Sequence, residues 1–101
     1  MMGRNRQAER LVRILRDRMP ELKDRYKVTS MGLFGSYVRQ AQRKKSDLDL
    51  LVEFQEPPSL LTFLRLEHDL SDLLGVKVDL VMKDALRPTI ARRILSELVP
   101  V

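Results

Sequence analysis

The stretch Asp47 to Phe54, DLDLLVEF, constrains the fold most. Successive side chains of a β-strand point to opposite faces. Leu48, Leu50, Val52 and Phe54 then share one face, and Asp47, Asp49, Leu51 and Glu53 share the other. The first set suits a core. The second presents two carboxylates side by side, which repel each other unless a cation lies between them. Such a strand needs an apolar layer on one side and a polar site on the other. Upstream, Gly35-Ser36 is separated from Asp47 by ten residues. A Gly-Ser turn opening a helix offers backbone N–H groups and a hydroxyl to an anion. One loop thus joins a phosphate cradle to a divalent-metal clamp, a combination that suits a nucleoside triphosphate with magnesium.

The flanking sequence supplies the apolar layer. Ala8, Leu11, Val12, Leu15 and Met19 recur at three and four spacing, which predicts an amphipathic helix over Gln7 to Met19. Arg6, Arg10, Arg13 and Arg16 fill its other face, a solvated face by default. Pro20 is expected to open a separate short helical segment, Glu21 to Arg25. Lys27 to Phe34 reads as a strand ending at Gly35, and Ser36 to Gln40 as a short helix. Gln42 to Ser46, with Arg43, Lys44 and Lys45, is a basic loop. Beyond Pro57-Pro58, Ser59 can cap a helix running to about Leu74, with Gly75 as its stop. His68, the only histidine, lies on that helix, where structural or surface roles predominate. Val76 to Met82 predicts a third strand. Pro88 starts a last helix over Thr89 to Leu98, before the apolar tail Val99-Pro100-Val101.

The order α-β-α-β-α-β-α implies an α+β (α/β sandwich) fold: a small mixed sheet of three or slightly more strands, with helices packed on one face. A chain of 101 residues forms one domain, residues 1–101. Its net charge of +5 fits either a solvated surface or an anionic partner such as a nucleotide, RNA or an acidic protein face. With no cysteine, disulfides and thiolate metal sites are excluded. The N-terminus has no apolar h-region, and no run approaches the ~18 residues of a membrane span. A cytoplasmic protein without membrane contact is expected.

Asp79 interrupts the apolar run VDLV, although aspartate suits a strand interior poorly. If its strand neighbours that of Asp47 and Asp49, three carboxylates converge. That cluster is untenable near neutral pH without cations or proton uptake. Magnesium suits it, because it takes few carboxylates, keeps waters and completes its shell with phosphates.

The pattern Gly-Ser, ten residues, Asp-x-Asp, then a strand aspartate resembles the nucleotidyltransferase superfamily that includes polymerase β-like and kanamycin-modifying enzymes. GLFGSYVR, SDLDLLVEF, GVKVDLV and the ending TIARRILSELVPV are similar to the minimal nucleotidyltransferase (MNT) antitoxins encoded beside HEPN-domain toxins. The resemblance implies the minimal polymerase β-like nucleotidyltransferase fold and metal ligands at Asp47, Asp49 and Asp79. It implies that these three are also catalytic, with Asp79 able to activate an acceptor hydroxyl. Gly35 and Ser36 match the triphosphate-binding turn. Arg39 matches an arginine for which phosphate contact and a structural ion pair are both open. Val38 and Gln40 stand where family members often have Ala and Gly. The implied activity is magnesium-dependent transfer of AMP from ATP to a hydroxyl, a tyrosine of a cognate HEPN ribonuclease toxin, in a hetero-oligomer. Two magnesium ions are expected, one to activate the attacking hydroxyl and one to stabilise the leaving pyrophosphate. The Leu60–Leu74 helix and the tail Leu98 to Val101 are candidate docking surfaces. Two other readings remain: a non-catalytic module that neutralises a toxin by contact, and a nucleotidyltransferase acting on an RNA 3′ end through its basic loop.

Overall fold

The computed structural model describes residues 6–39 and 46–101. Among the described residues there are three helices and four strands: α1 Arg6–Tyr26, β1 Val28–Phe34, β2 Leu48–Phe54, α2 Leu60–Leu74, β3 Val78–Met82, α3 Pro88–Glu97 and β4 Val99–Pro100. Short 3-10 turns, Gly35–Tyr37 and Lys83–Ala85, follow β1 and β3. The basic loop with Arg43, Lys44 and Lys45 falls largely outside the described residues.

The sheet order is β3-β2-β1-β4. β1 is antiparallel to both of its neighbours, and β2 is parallel to β3. The sheet is therefore mixed, and β4 adds a strand to the three read from the sequence. The tail owes this to pairing: Val99 lies opposite Leu33, and the Val101 N–H donates to the Met31 carbonyl at 2.9 Å. Val99 and Val101 pack against the core, so the tail is engaged within this chain.

Leu48, Leu50 and Val52 do face the core, with at most 1% of their surface exposed. They meet Leu11 and Leu15 of α1, Leu66 and Leu70 of α2, Met31 and Leu33 of β1, and Val78 and Leu80 of β3. Leu51, on the opposite face, is buried as well. Near it Leu98 covers Gly32, where an added Cβ would stand 2.7 Å from Leu98 Cδ1. The far face is thus apolar beside α3.

Helix α1 differs from its reading. It runs without a break to Tyr26 with Pro20 inside. Pro20 lacks an N–H and disfavours a helix interior, but buried Met19, Leu22 and Tyr26 keep both halves on the core. Tertiary packing outweighs local propensity here. The helix ends at Lys27, whose φ of 61° is left-handed. α2 follows its signals: Ser59 accepts from the Thr62 N–H at 3.1 Å, and Gly75 closes the helix at φ 71°. Its Ser71 and Glu67 side chains accept from the Val78 and Leu80 N–H groups, satisfying donors on the β3 edge. Among the described residues, no helix is long and apolar enough to cross a membrane.

The apolar residues of α2 fall into two classes. Leu66, Leu70 and Leu74 are buried, whereas Leu60, Leu61 and Leu64 are exposed. Replacing Leu70 by Ala should cost about 2–5 kcal/mol of unfolding free energy. Replacing Leu61 by Ala should change it by no more than about 0.5 kcal/mol. Urea denaturation of the two variants checks this difference.

Candidate active site

The strand registers build the site. Phe34 pairs with Asp49 across β1 and β2, and Asp49 pairs with Asp79 across β2 and β3. Opposed residues of neighbouring strands share a face. Asp49 and Asp79 therefore lie together on the side away from Leu48 and Leu50, at the end of β1 where the Gly35 turn begins. A hydrogen bond links the two carboxyl groups, and Asp47, just before β2, acts on Asp49 through its charge. The three aspartates selected from the sequence are thus electrostatically coupled neighbours.

This crowding changes protonation. The Asp49 carboxyl is pushed up from 3.8 to about 6, first by burial, then by the charges of Asp79 and Asp47. The bond to Asp79 adds to the rise, and Arg39 opposes it. A proton is retained where negative charge is concentrated, as expected of a site that favours a cation.

Gly35 is held close against this pair. Its φ is +81°, and a Cβ there would come within 2.1 Å of Asp49 Oδ2. The sequence suggested that glycine admits a phosphate. Here the nearest group is the Asp49 carboxylate, and the left-handed backbone itself favours glycine. Ser36 follows at the start of the 3-10 turn. Among the described residues, neither its N–H nor its hydroxyl has a hydrogen-bond partner. Toward the described residues, both donors are open. Arg39 forms an ion pair with Glu97, Nη1 to Oε2 at 2.9 Å. The Gly35 N–H also donates to Glu97 Oε2, at 2.7 Å. Of the two sequence options for Arg39, the ion pair is present. Glu97 lies 62 positions from Gly35, and no motif or periodicity marks it.

Among the described residues, no group of three His, Cys, Asp or Glu side chains is gathered closely enough to enclose a metal ion. The donor set nevertheless fits magnesium, which needs only one or two carboxylates beside waters and phosphates. His68 is remote from this chemistry: it is exposed and lies 3.3 Å from Asp72. A separate cleft of about 320 Å³, lined by Arg25, Tyr26, Asp69 and Leu73 among others, lies between α1 and α2. Tyr26 donates to Asp69 there.

A central sheet bearing paired carboxylates beside a Gly-Ser turn defines a nucleotidyl-transferring class of domain. The chain belongs to the nucleotidyltransferase domain family, whose profile matches residues 13–101. It is 53% identical over 87 residues to a candidate protein adenylyltransferase of Methanocaldococcus jannaschii, covering 85% of this chain and 89% of that protein. It is 48% identical over 91 residues to the protein adenylyltransferase MntA of Thermococcus cleftensis, covering 90% and 92%. The solved structure of a candidate minimal nucleotidyltransferase superposes with a TM-score of 0.75 at 39% identity, covering 89% of this chain and 92% of that one. The fold is shared with the Shewanella oneidensis complex of a tri-AMPylated HEPN toxin and an MNT antitoxin, with a TM-score of 0.59 at 21% identity, covering 93% and 67%.

Two outcomes follow from this geometry. Gly35→Ala should lower stability by about 1–3 kcal/mol through its left-handed backbone and the contact with Asp49, as measured by chemical denaturation. The raised Asp49 carboxyl has a definite sign. Between about 4 and about 6 the native state holds more protons than the unfolded chain, so this group's stabilising contribution is lost as pH rises through about 6. In metal-free buffer, Asp49→Asn should gain thermal stability relative to the native protein as pH rises through that window. Parallel melting curves would contradict this coupling.

Proposed function

We propose that this chain is a magnesium-dependent protein adenylyltransferase, acting as an antitoxin that transfers AMP from ATP to a tyrosine hydroxyl of a partner HEPN-domain toxin. The observation that carries the reading is the in-register placement of Asp49 beside Asp79, next to the Gly35-Ser36 turn. The adenylyltransferase names of relatives near 50% identity support the activity. The HEPN–MNT complex, alike in fold, supports the class of acceptor. The family profile accounts for nearly all of the chain, consistent with one catalytic domain over residues 1–101. ATP supply favours a cytoplasmic location.

In this reading, one or two carboxylates of the set Asp47, Asp49 and Asp79 would hold each magnesium ion, beside waters and phosphate oxygens. Bound there, the ion supplies charge neutralisation for the triphosphate and its departing pyrophosphate. The Ser36 N–H and hydroxyl hold donor phosphate oxygens. Asp79 is exposed beside Asp49, so an incoming hydroxyl can reach it and give up its proton. The hydroxyl oxygen bonds to the α-phosphorus, the bond to the bridging oxygen breaks, and pyrophosphate carries away that electron pair. The acceptor comes from a second protein, as in the AMPylated toxin complex that shares this fold.

Labelled ATP, magnesium and the co-encoded HEPN protein test this directly. The native chain should transfer label to the HEPN protein. Asp47→Asn and Asp79→Asn should each reduce transfer by about a hundredfold or more, since roughly 1.4 kcal/mol of lost transition-state stabilisation is worth tenfold. Unchanged labelling in both variants would refute the assigned chemistry. Lost labelling with full protection of cells would instead favour a neutralising module that acts by contact.

A further inference from the structure

One carboxylate from the far end of the chain fastens the Gly35 turn. Glu97 Oε2 accepts from the Gly35 N–H at 2.7 Å and from Arg39 Nη1 at 2.9 Å, and Oε1 accepts from the same Nη1 at 3.1 Å. Hydrogen bonds between ionised partners are roughly twice as strong as neutral ones. The Glu97 side chain is only 20% exposed.

The mounting of Glu97 is firm. It is the last residue of α3. Leu98 then covers Gly32, Val99 pairs with Leu33, and the Val101 N–H bonds to Met31. Those three β1 residues stand just before Gly35. The end of α3 and the end of β1 are therefore bound together, and Glu97 reaches from that junction to both ends of the turn.

We propose that Glu97 is a positioning residue for the donor nucleotide: it fixes the Gly35 turn and directs Arg39 so that the rest of the guanidinium can meet a phosphate. This rests on the nucleotidyltransferase reading above. A guanidinium carries five N–H donors in a rigid fork, and Glu97 engages only Nη1. Among the described residues the Nε and Nη2 edges have no partner, which leaves them, like the Ser36 N–H and hydroxyl, for an anion. Glu97 also restrains Arg39. The guanidinium lies within electrostatic reach of Asp49. Released from Glu97, it would be drawn to the carboxylates and would take the place of a cation there.

Calorimetric titration with a non-hydrolysable ATP analogue and magnesium, below the melting temperature of every variant, tests this role. Glu97→Ala should weaken binding by about tenfold or more, and Glu97→Gln, which keeps an acceptor for Gly35 but loses the charge, should fall between. In an Arg39→Ala background, Glu97→Ala should add less loss than it causes alone, because part of its role passes through Arg39 and only the Gly35 bond remains to be lost. The Gly35 amide should exchange its hydrogen faster in Glu97→Ala. In steady-state adenylylation, the KM for ATP should rise more than kcat falls. Binding by Glu97→Ala equal to or tighter than the native protein, or fully additive losses, would overturn this inference alone. A native protein that binds no nucleotide would overturn the functional reading and this role with it.

Discussion

The Gly35 turn reaches the carboxylates only because β1 and β2 pair in one register. Phe34 opposite Asp49 brings the end of β1 to the aspartate pair, and the parallel register of β2 with β3 adds Asp79. A shift of one residue turns every side chain to the other face. It would put Asp49 into the core and Leu48 into the site. The buried face of β2 therefore fixes the chemistry of its other face: Leu48 and Leu50 pack between the helices and thereby hold Asp49 outward.

This arrangement concentrates negative charge. Asp49 is partly desolvated, bonded to Asp79 and repelled by Asp47, so it keeps a proton to about pH 6. Stability and function conflict here, since a site that attracts a cation is least comfortable without one. The fold tolerates it because the carboxylates sit at one end of a well-packed sheet, whose opposite face buries Leu11, Leu15, Leu66 and Leu70 completely. Arg39 supplies a nearby positive charge, and Glu97 limits where that charge can go.

Much of this was legible in local pattern. The alternation through Asp47 to Phe54 identified both faces of β2, Ser59 and Gly75 marked the ends of α2, and Asp79 stood out within an apolar strand. Each of those signals is contained in a few consecutive residues. The unreadable parts depend on contacts between distant segments. Pro20 looked like a boundary, but burial of Met19, Leu22 and Tyr26 carries α1 past it. The tail read as an apolar end of the chain, and backbone pairing with β1 makes it a strand. Glu97 carries no local signal in the last helix, and its bonds to Gly35 and Arg39 appear only once β4 lies beside β1.

In the proposed function, nucleotide and metal meet where the Gly35 turn approaches Asp49 and Asp79. A crystal structure of this chain with magnesium and a non-hydrolysable ATP analogue tests it most directly. The triphosphate should lie against the Ser36 N–H and hydroxyl, with magnesium bound by carboxylates of the aspartate cluster. An analogue seated instead in the cleft beside Tyr26 and Asp69, with the aspartates bare, would contradict it.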